Sequence, residues 1–189
     1  VLAYDSRLRS AEADYTLLGL TTTTVENKGG TATLVMPPGH PAYDLFVEHR
    51  TILELYRDGE LRFRGRALYP SDDFLGRRTW TVEGELCLMQ DATARPYLYQ
   101  ASPKDIFEAV LDEYNSQVED FKQFRMGTVT VTDPNDYVRL ESEKSEQSLD
   151  VINKLLDRCG GYIVFSTASD GARVINWYAD PGFRRNQVF

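Results

Sequence analysis

Glu83 and Glu85 stand two residues apart, and Asp91 follows them. If residues 79–88 form a strand, alternation puts both glutamates on one face. Two carboxylates flanking a glycosidic bond are the working parts of a glycosidase. A solvated face of an antiparallel strand has the same spacing, so the pair alone leaves both readings open. Cys87, Cys159, His40 and His49 are the remaining reactive types. A cysteine hydrolase needs a thiolate beside an imidazole. Neither cysteine follows a glycine-rich oxyanion turn, and Cys159 falls at a predicted helix C-terminus, where the dipole opposes a thiolate. Zinc needs ligands paired at short spacing, and no two Cys or His residues stand that close. His40 lies in a proline turn and His49 between Glu48 and Arg50, which reads as solvated loop or helix end. Gly29-Gly30 and Gly160-Gly161 are turn doublets without the lysine and hydroxyl of a phosphate loop. Arg62-Phe63-Arg64 resembles a nucleic-acid platform over three residues, but alternation puts Phe63 opposite both arginines. No residue is therefore assigned a catalytic, cofactor-binding or metal-binding role, and no cofactor is expected.

Composition narrows the function classes further. The chain has 189 residues, 42% hydrophobic and 26% charged, which suits a globular protein. No stretch approaches the roughly 20 apolar residues of a membrane helix. Residues 1–20 carry charges throughout, so no signal peptide is read. Net charge is −8, which argues against gripping nucleic acid by its phosphates. The two cysteines are expected as buried thiols.

The first half reads as β. Residues 15–25 are rich in Thr and aliphatic types, Glu26-Asn27-Lys28-Gly29-Gly30 signals a turn, and residues 31–36 return as a strand. Pro37-Pro38-Gly39-His40-Pro41 stops that strand. Asp58-Gly59 between two alternating runs predicts a type I′ hairpin. Leu61 and Phe63 then face a core, while Arg62 and Arg64 face solvent or a partner. Residues 79–88 supply a further strand, and the set predicts a barrel or sandwich.

The second half changes character. Ser102-Pro103-Lys104-Asp105 is a helix start, with Ile106, Phe107, Val110, Leu111 and Tyr114 at helical spacing. A strand is predicted over 127–132 and a helix over 145–159, with Leu149, Ile152, Leu155 and Leu156 on one face. Gly160-Gly161 ends it, and a hairpin over 162–178 closes the segment around Asp170-Gly171. The end, Asn186-Gln187-Val188-Phe189, is strand-like, and more chain is expected beyond it.

One ordered set of motifs carries a family resemblance. Gly29-Gly30 precedes Pro37-Pro38-Gly39-His40-Pro41-Ala42-Tyr43-Asp44. Arg57-Asp58-Gly59-Glu60, Phe63-Arg64-Gly65-Arg66, Val82-Glu83-Gly84-Glu85-Leu86 and Arg95-Pro96-Tyr97 follow. Glu113-Tyr114-Asn115-Ser116-Gln117-Val118, Gly127-Thr128-Val129-Thr130-Val131 and Gly160-Gly161-Tyr162 complete the order. The set resembles the N-terminal region of phage minor structural proteins, the tail-associated lysin or prophage tail endopeptidase family. The resemblance implies an α+β, baseplate hub-like fold. Residues 1–95 would be an antiparallel β-barrel-like tube domain, 96–179 a small α+β domain packed outside, and 180–189 the start of a return segment. It also implies a homotrimeric ring in the virion tail tip, assembled in the bacterial cytoplasm. The distal tail protein would lie above, the tape measure protein inside, and DNA would pass without specific binding. Hydrolase activity, where the family has it, would lie outside these residues, so the chain is expected to be structural and not an enzyme. Two alternatives remain. One is a peptidoglycan hydrolase using Glu83 or Glu85. The other is a carbohydrate-binding module using Trp80, Tyr97 and Tyr99.

Overall fold

A computed structural model describes residues 2–4, 11–13, 17, 19–23, 29–57, 60–135 and 137–180. The chain is mixed α+β, mostly strand, and divides into two compact units, Val1–Leu88 and Met89–Phe189.

The first unit is one antiparallel sheet of seven strands. In chain order these are β1 (Leu2–Tyr4), β2 (Ala11–Ala13), β3 (Gly19–Thr23), β4 (Thr31–Met36), β5 (Ile52–Arg57), β6 (Glu60–Asp72) and β7 (Arg78–Gly84). Their spatial order is β2-β1-β5-β6-β7-β4-β3. The sheet curls into half a barrel, and among the described residues β2 and β3 remain its two edges. Alternation builds the core. Ala32, Leu34, Met36, Leu53, Leu55, Phe63, Ala67, Trp80 and Val82 project to one face, where Ala42 and Phe46 from the β4–β5 connection cover them.

The hairpin pairs as its flanks predict, with Arg57 against Glu60, while Asp58 and Gly59 themselves lie outside the described residues. So do residues 24–25 of the predicted strand, residues 26–28 of the predicted Gly-Gly turn and residues 181–189 of the predicted return segment. A bulge between Leu55 and Tyr56 shifts the register by one. Leu55 then meets Phe63 on the apolar face, and Glu54 meets Arg64 on the other.

The strand predicted through residue 88 stops four residues early. β7 ends at Gly84, and Glu85–Asp91 form a 3-10 helix. Gly84 is the cause. Its amide donates to the Gly30 carbonyl at 3.0 Å, and Gly29 lies where a side chain would stand. The chain must turn away from the ladder there, and Leu86, Leu88 and Met89 are buried in the 3-10 segment.

The second unit holds more strands than its sequence pattern predicts. β8 (Thr93–Ala94) pairs with β12 (Glu146–Gln147), and β9 (Tyr97–Ala101) pairs with β11 (Val138–Ser142). α1 (Pro103–Asn115) starts as expected: the Ser102 Oγ accepts from the Asp105 amide at 3.1 Å. A Ser102→Ala variant is expected to lose about 1 kcal/mol by urea unfolding, the usual cost of a lost cap. α2 (Ser148–Cys159) begins three residues later than predicted, because Glu146 and Gln147 are held in β12. Val151 joins Ile152, Leu155 and Leu156 on its buried face, while Leu149 is only half-buried. Gly160 and Gly161 end it at φ 71° and 91°, values that suit glycine.

β13 (Tyr162–Thr167) and β14 (Arg173–Tyr178) form the predicted hairpin. β14 also pairs in parallel with β10 (Arg125–Val129), so the last strand is the central one. Asn176 locks all three: its Oδ1 accepts from the Thr128 amide at 2.9 Å and its Nδ2 donates to the Val164 carbonyl at 3.1 Å. Gly127 leaves the space this side chain needs. No described helix is long and apolar enough to cross a membrane.

Candidate functional site

The charged residues of β5, β6 and β7 meet on the sheet face opposite the apolar core. Glu54 and Arg64 are directly opposed, and so are Arg66 and Glu83. Arg64 Nε donates to Glu54 Oε1 at 2.6 Å, and its Nη1 donates to Glu85 Oε1 at 3.2 Å. Arg66 donates through Nε to Glu83 Oε1 at 2.8 Å, and its Nη2 approaches the same oxygen. The Tyr56 hydroxyl donates to the second oxygen of Glu54 at 2.8 Å. Arg64 and Arg66 are only 7% and 5% exposed. The expectation that Arg64 faces solvent or an open partner surface is therefore wrong. Burial pulls the Arg64 proton affinity down, but Glu85 and Glu54 more than offset this, so the guanidinium is held charged.

This arrangement bears directly on the predicted carboxylate pair. Glu83 and Glu85 do not share an open strand face. Glu85 lies past the end of β7, and each carboxylate is engaged by a different arginine. A general acid needs a protonated carboxyl turned toward substrate. Here both are acceptors inside ion pairs that tie three strands together.

The other reactive types stay apart or are spent on structure. His40 is buried at 6% exposure, not solvated, and its Nδ1 accepts from the Ala42 amide at 3.0 Å inside the proline turn. His49 is exposed with φ 59°, and its amide donates to the Ala67 carbonyl at 2.8 Å. Both cysteines are free and half-buried, less enclosed than expected. Burial, reinforced by Glu83, pushes the Cys87 thiol up despite Arg66. Burial and Asp133 do the same at Cys159. Both shifts disfavour the thiolate that nucleophilic chemistry needs. Among the described residues no three His, Cys, Asp or Glu gather as a metal ion would require.

The aromatic set for sugar binding does not assemble. Trp80 is 2% exposed and packs against Phe46 at 5.4 Å between centroids. Tyr97 and Tyr99 stack on each other at 4.8 Å and are half-buried. The Tyr97 hydroxyl bonds Glu146, which also takes Lys154 at 2.6 Å. Arg62 is exposed while Phe63 lies in the core, so no basic-aromatic platform forms either.

Sequence reading missed Glu54 and the pairing role of Arg66. A signal was present. A hairpin without a bulge would set Glu54 against Phe63, and that mismatch of polarity calls for a one-residue shift.

Known structures supply the remaining evidence. The prophage tail protein gp18 of Listeria monocytogenes superposes with a TM-score of 0.59 at 15% identity, covering 93% of this chain and 49% of its own. A tail protein of Neisseria meningitidis gives 0.55 at 9% identity, covering 92% of this chain and 49% of its own. The chain has the fold of these tail proteins. It spans about half of each, 49% by length. No protein-family model and no curated protein matches the chain.

Proposed function

We propose that this chain is a structural part of a bacteriophage or prophage tail, the N-terminal part of a baseplate hub at the tail tip. One observation carries the reading: a likeness to a prophage tail protein that covers 93% of the chain. The engagement of Glu83 and Glu85 by arginines supports a structural role over hydrolysis. In this reading three copies close a ring that continues the tail tube. Ring closure needs a heterologous interface between copies, and among the described residues the sheet of the first unit ends in two edge strands, β2 and β3, on which to build one. The distal tail protein and the tape measure protein are the neighbours proposed for the ring. The chain's net charge of −8 suits a surface past which DNA slides without arrest.

Gold-labelled antibodies against the chain, applied to purified tails and viewed by electron microscopy, are expected to mark one end only. Tails that carry no label, or label spread along the tube, would overturn the proposal. The enzyme alternative has its own test. The chain is expected to leave cell-wall gels uncleared in zymography. Clearing that disappears in Glu83→Gln would replace the structural reading with a hydrolase.

A further inference from the structure

Residues 37–51 join β4 to β5 without adding a strand to the sheet, and they cover its apolar face as a strap built of turns. The strap supplies two buried side chains to that core, Ala42 and Phe46, against nine from the strands. Lifting it costs far less apolar burial than unfolding the sheet, and segments with few buried contacts are the ones that open locally. Two features strain the strap as it lies. The Phe46 ring packs on Trp80, and the Trp80 indole N–H is buried with no acceptor in reach among the described residues. A buried donor left unpaired costs free energy that is recovered when water reaches it. Near the end of the strap His49 holds φ 59°, a left-handed conformation that only glycine adopts freely.

Arg78 holds the strap down from outside. It begins β7 directly opposite Asp72 of β6, and its Nε and Nη2 donate to the two Asp72 oxygens at 2.8 and 2.9 Å. That pair fixes the guanidinium plane and leaves Nη1 to reach the strap, where it donates to the Tyr43 carbonyl and to Asp44, both at 3.0 Å. The same guanidinium lies 4.0 Å from the centre of the Tyr43 ring, close enough for a cation–π contact. The Tyr43 hydroxyl adds a second clasp, donating to the Gly76 carbonyl of the β6–β7 turn at 2.8 Å. We propose that the strap is a lid that lifts from the sheet as a unit while the strands stay paired, with Arg78 as its latch. On opening, the bonds of Tyr43 and Asp44 to residues 76 and 78 break. The turn bonds inside the strap move with it: the Tyr43 amide to the His40 carbonyl at 2.9 Å, and the Leu45 amide to the Ala42 carbonyl at 3.2 Å. The Trp80 indole and the apolar face around it then meet water.

Thiol labelling of the folded chain with DTNB tests the lid. In a Cys87→Ser, Cys159→Ser background, Ala42→Cys puts a thiol on the buried side of the strap, and Ala32→Cys puts one on β4 in the same core. Ala42→Cys is expected to react about tenfold faster than Ala32→Cys or more, because the strap opens more readily than the sheet. Adding Arg78→Met should speed Ala42→Cys about tenfold further, the order for a lost hydrogen bond to a charged group, and leave Ala32→Cys unmoved. Hydrogen exchange of the indole N–H groups, followed by NMR, gives a second reading in the chain with its own cysteines. Arg78→Met should speed exchange at Trp80 about tenfold on the same ground. Trp177, whose indole donates to the Gly160 carbonyl at 3.0 Å in the other unit, should not change. Equal labelling rates at positions 42 and 32 would mean that the strap opens only when the sheet unfolds, and they overturn the proposal. So does an Arg78→Met variant whose labelling and Trp80 exchange match the parent.

Discussion

An Arg64→Met variant is expected to lose about 3–5 kcal/mol of folding stability, the range for removing one partner of a buried ion pair. Arg64 lies between Glu54 and Glu85, and all three are buried. Methionine fills similar space but leaves two carboxylates without their guanidinium, and the cost is their unrelieved desolvation. Urea unfolding measures it. Each unit contains one tryptophan, Trp80 in the first and Trp177 in the second, so fluorescence in a Trp177→Phe background reports on the first unit alone. A companion variant carrying Arg64→Met, Glu54→Gln and Glu85→Gln together should recover much of the loss, because no buried charge is stranded. A loss under about 1 kcal/mol for Arg64→Met, the range of surface pairs, would mean that water reaches the cluster.

Gly84→Ala is expected to cost about 3 kcal/mol, the upper end for overpacking. A Cβ there would run into the Gly29 carbonyl, which is backbone and cannot swing aside. Across the ladder, Gly65 is barred in the same way by the Glu83 carbonyl. The two glycines are a directly opposed pair, so β6 and β7 come together where neither strand has a side chain. Gly19→Ala is the control: a Cβ there meets Val35 Cγ2 at an ordinary 3.6 Å, and the melting point should barely move. Trp80 lies on β7 itself, and its emission during thermal unfolding reads both variants. If Gly84→Ala melts like the parent, the close approach of residues 29 and 84 is not what ends the strand.

Much of the fold is legible because its signals are local. The capping Ser102, the apolar face of α1 and the glycines after α2 each act within a few residues, and the structure bears them out. What was not legible depends on distant chain. Alternation tells which side chains share a face, but not whether that face is covered. Arg64 thus reads as facing solvent or a partner, although Glu54 of β5 and Glu85 enclose it. The break after Gly84 depends on Gly29, more than fifty residues earlier. β8 and β12 are two residues each, too short to show a period. Only the sugar-binding alternative needed Trp80 at the surface. The residue is interior, since residues 79 and 81 point the other way along β7.

The parallel pairing of β10 with β14 bears on how the protein is made. β14 is the last strand of the described chain, yet it lies in the middle of its sheet. Until Tyr178 has left the ribosome, β10 and β13 each lack the strand they pair with, and Phe107 lacks the Trp177 ring packed 5.5 Å from it. The nascent chain therefore carries α1 and α2 with an unfinished core for the whole of that interval. A stall before residue 173 therefore leaves β10 and β13 without the strand that joins them.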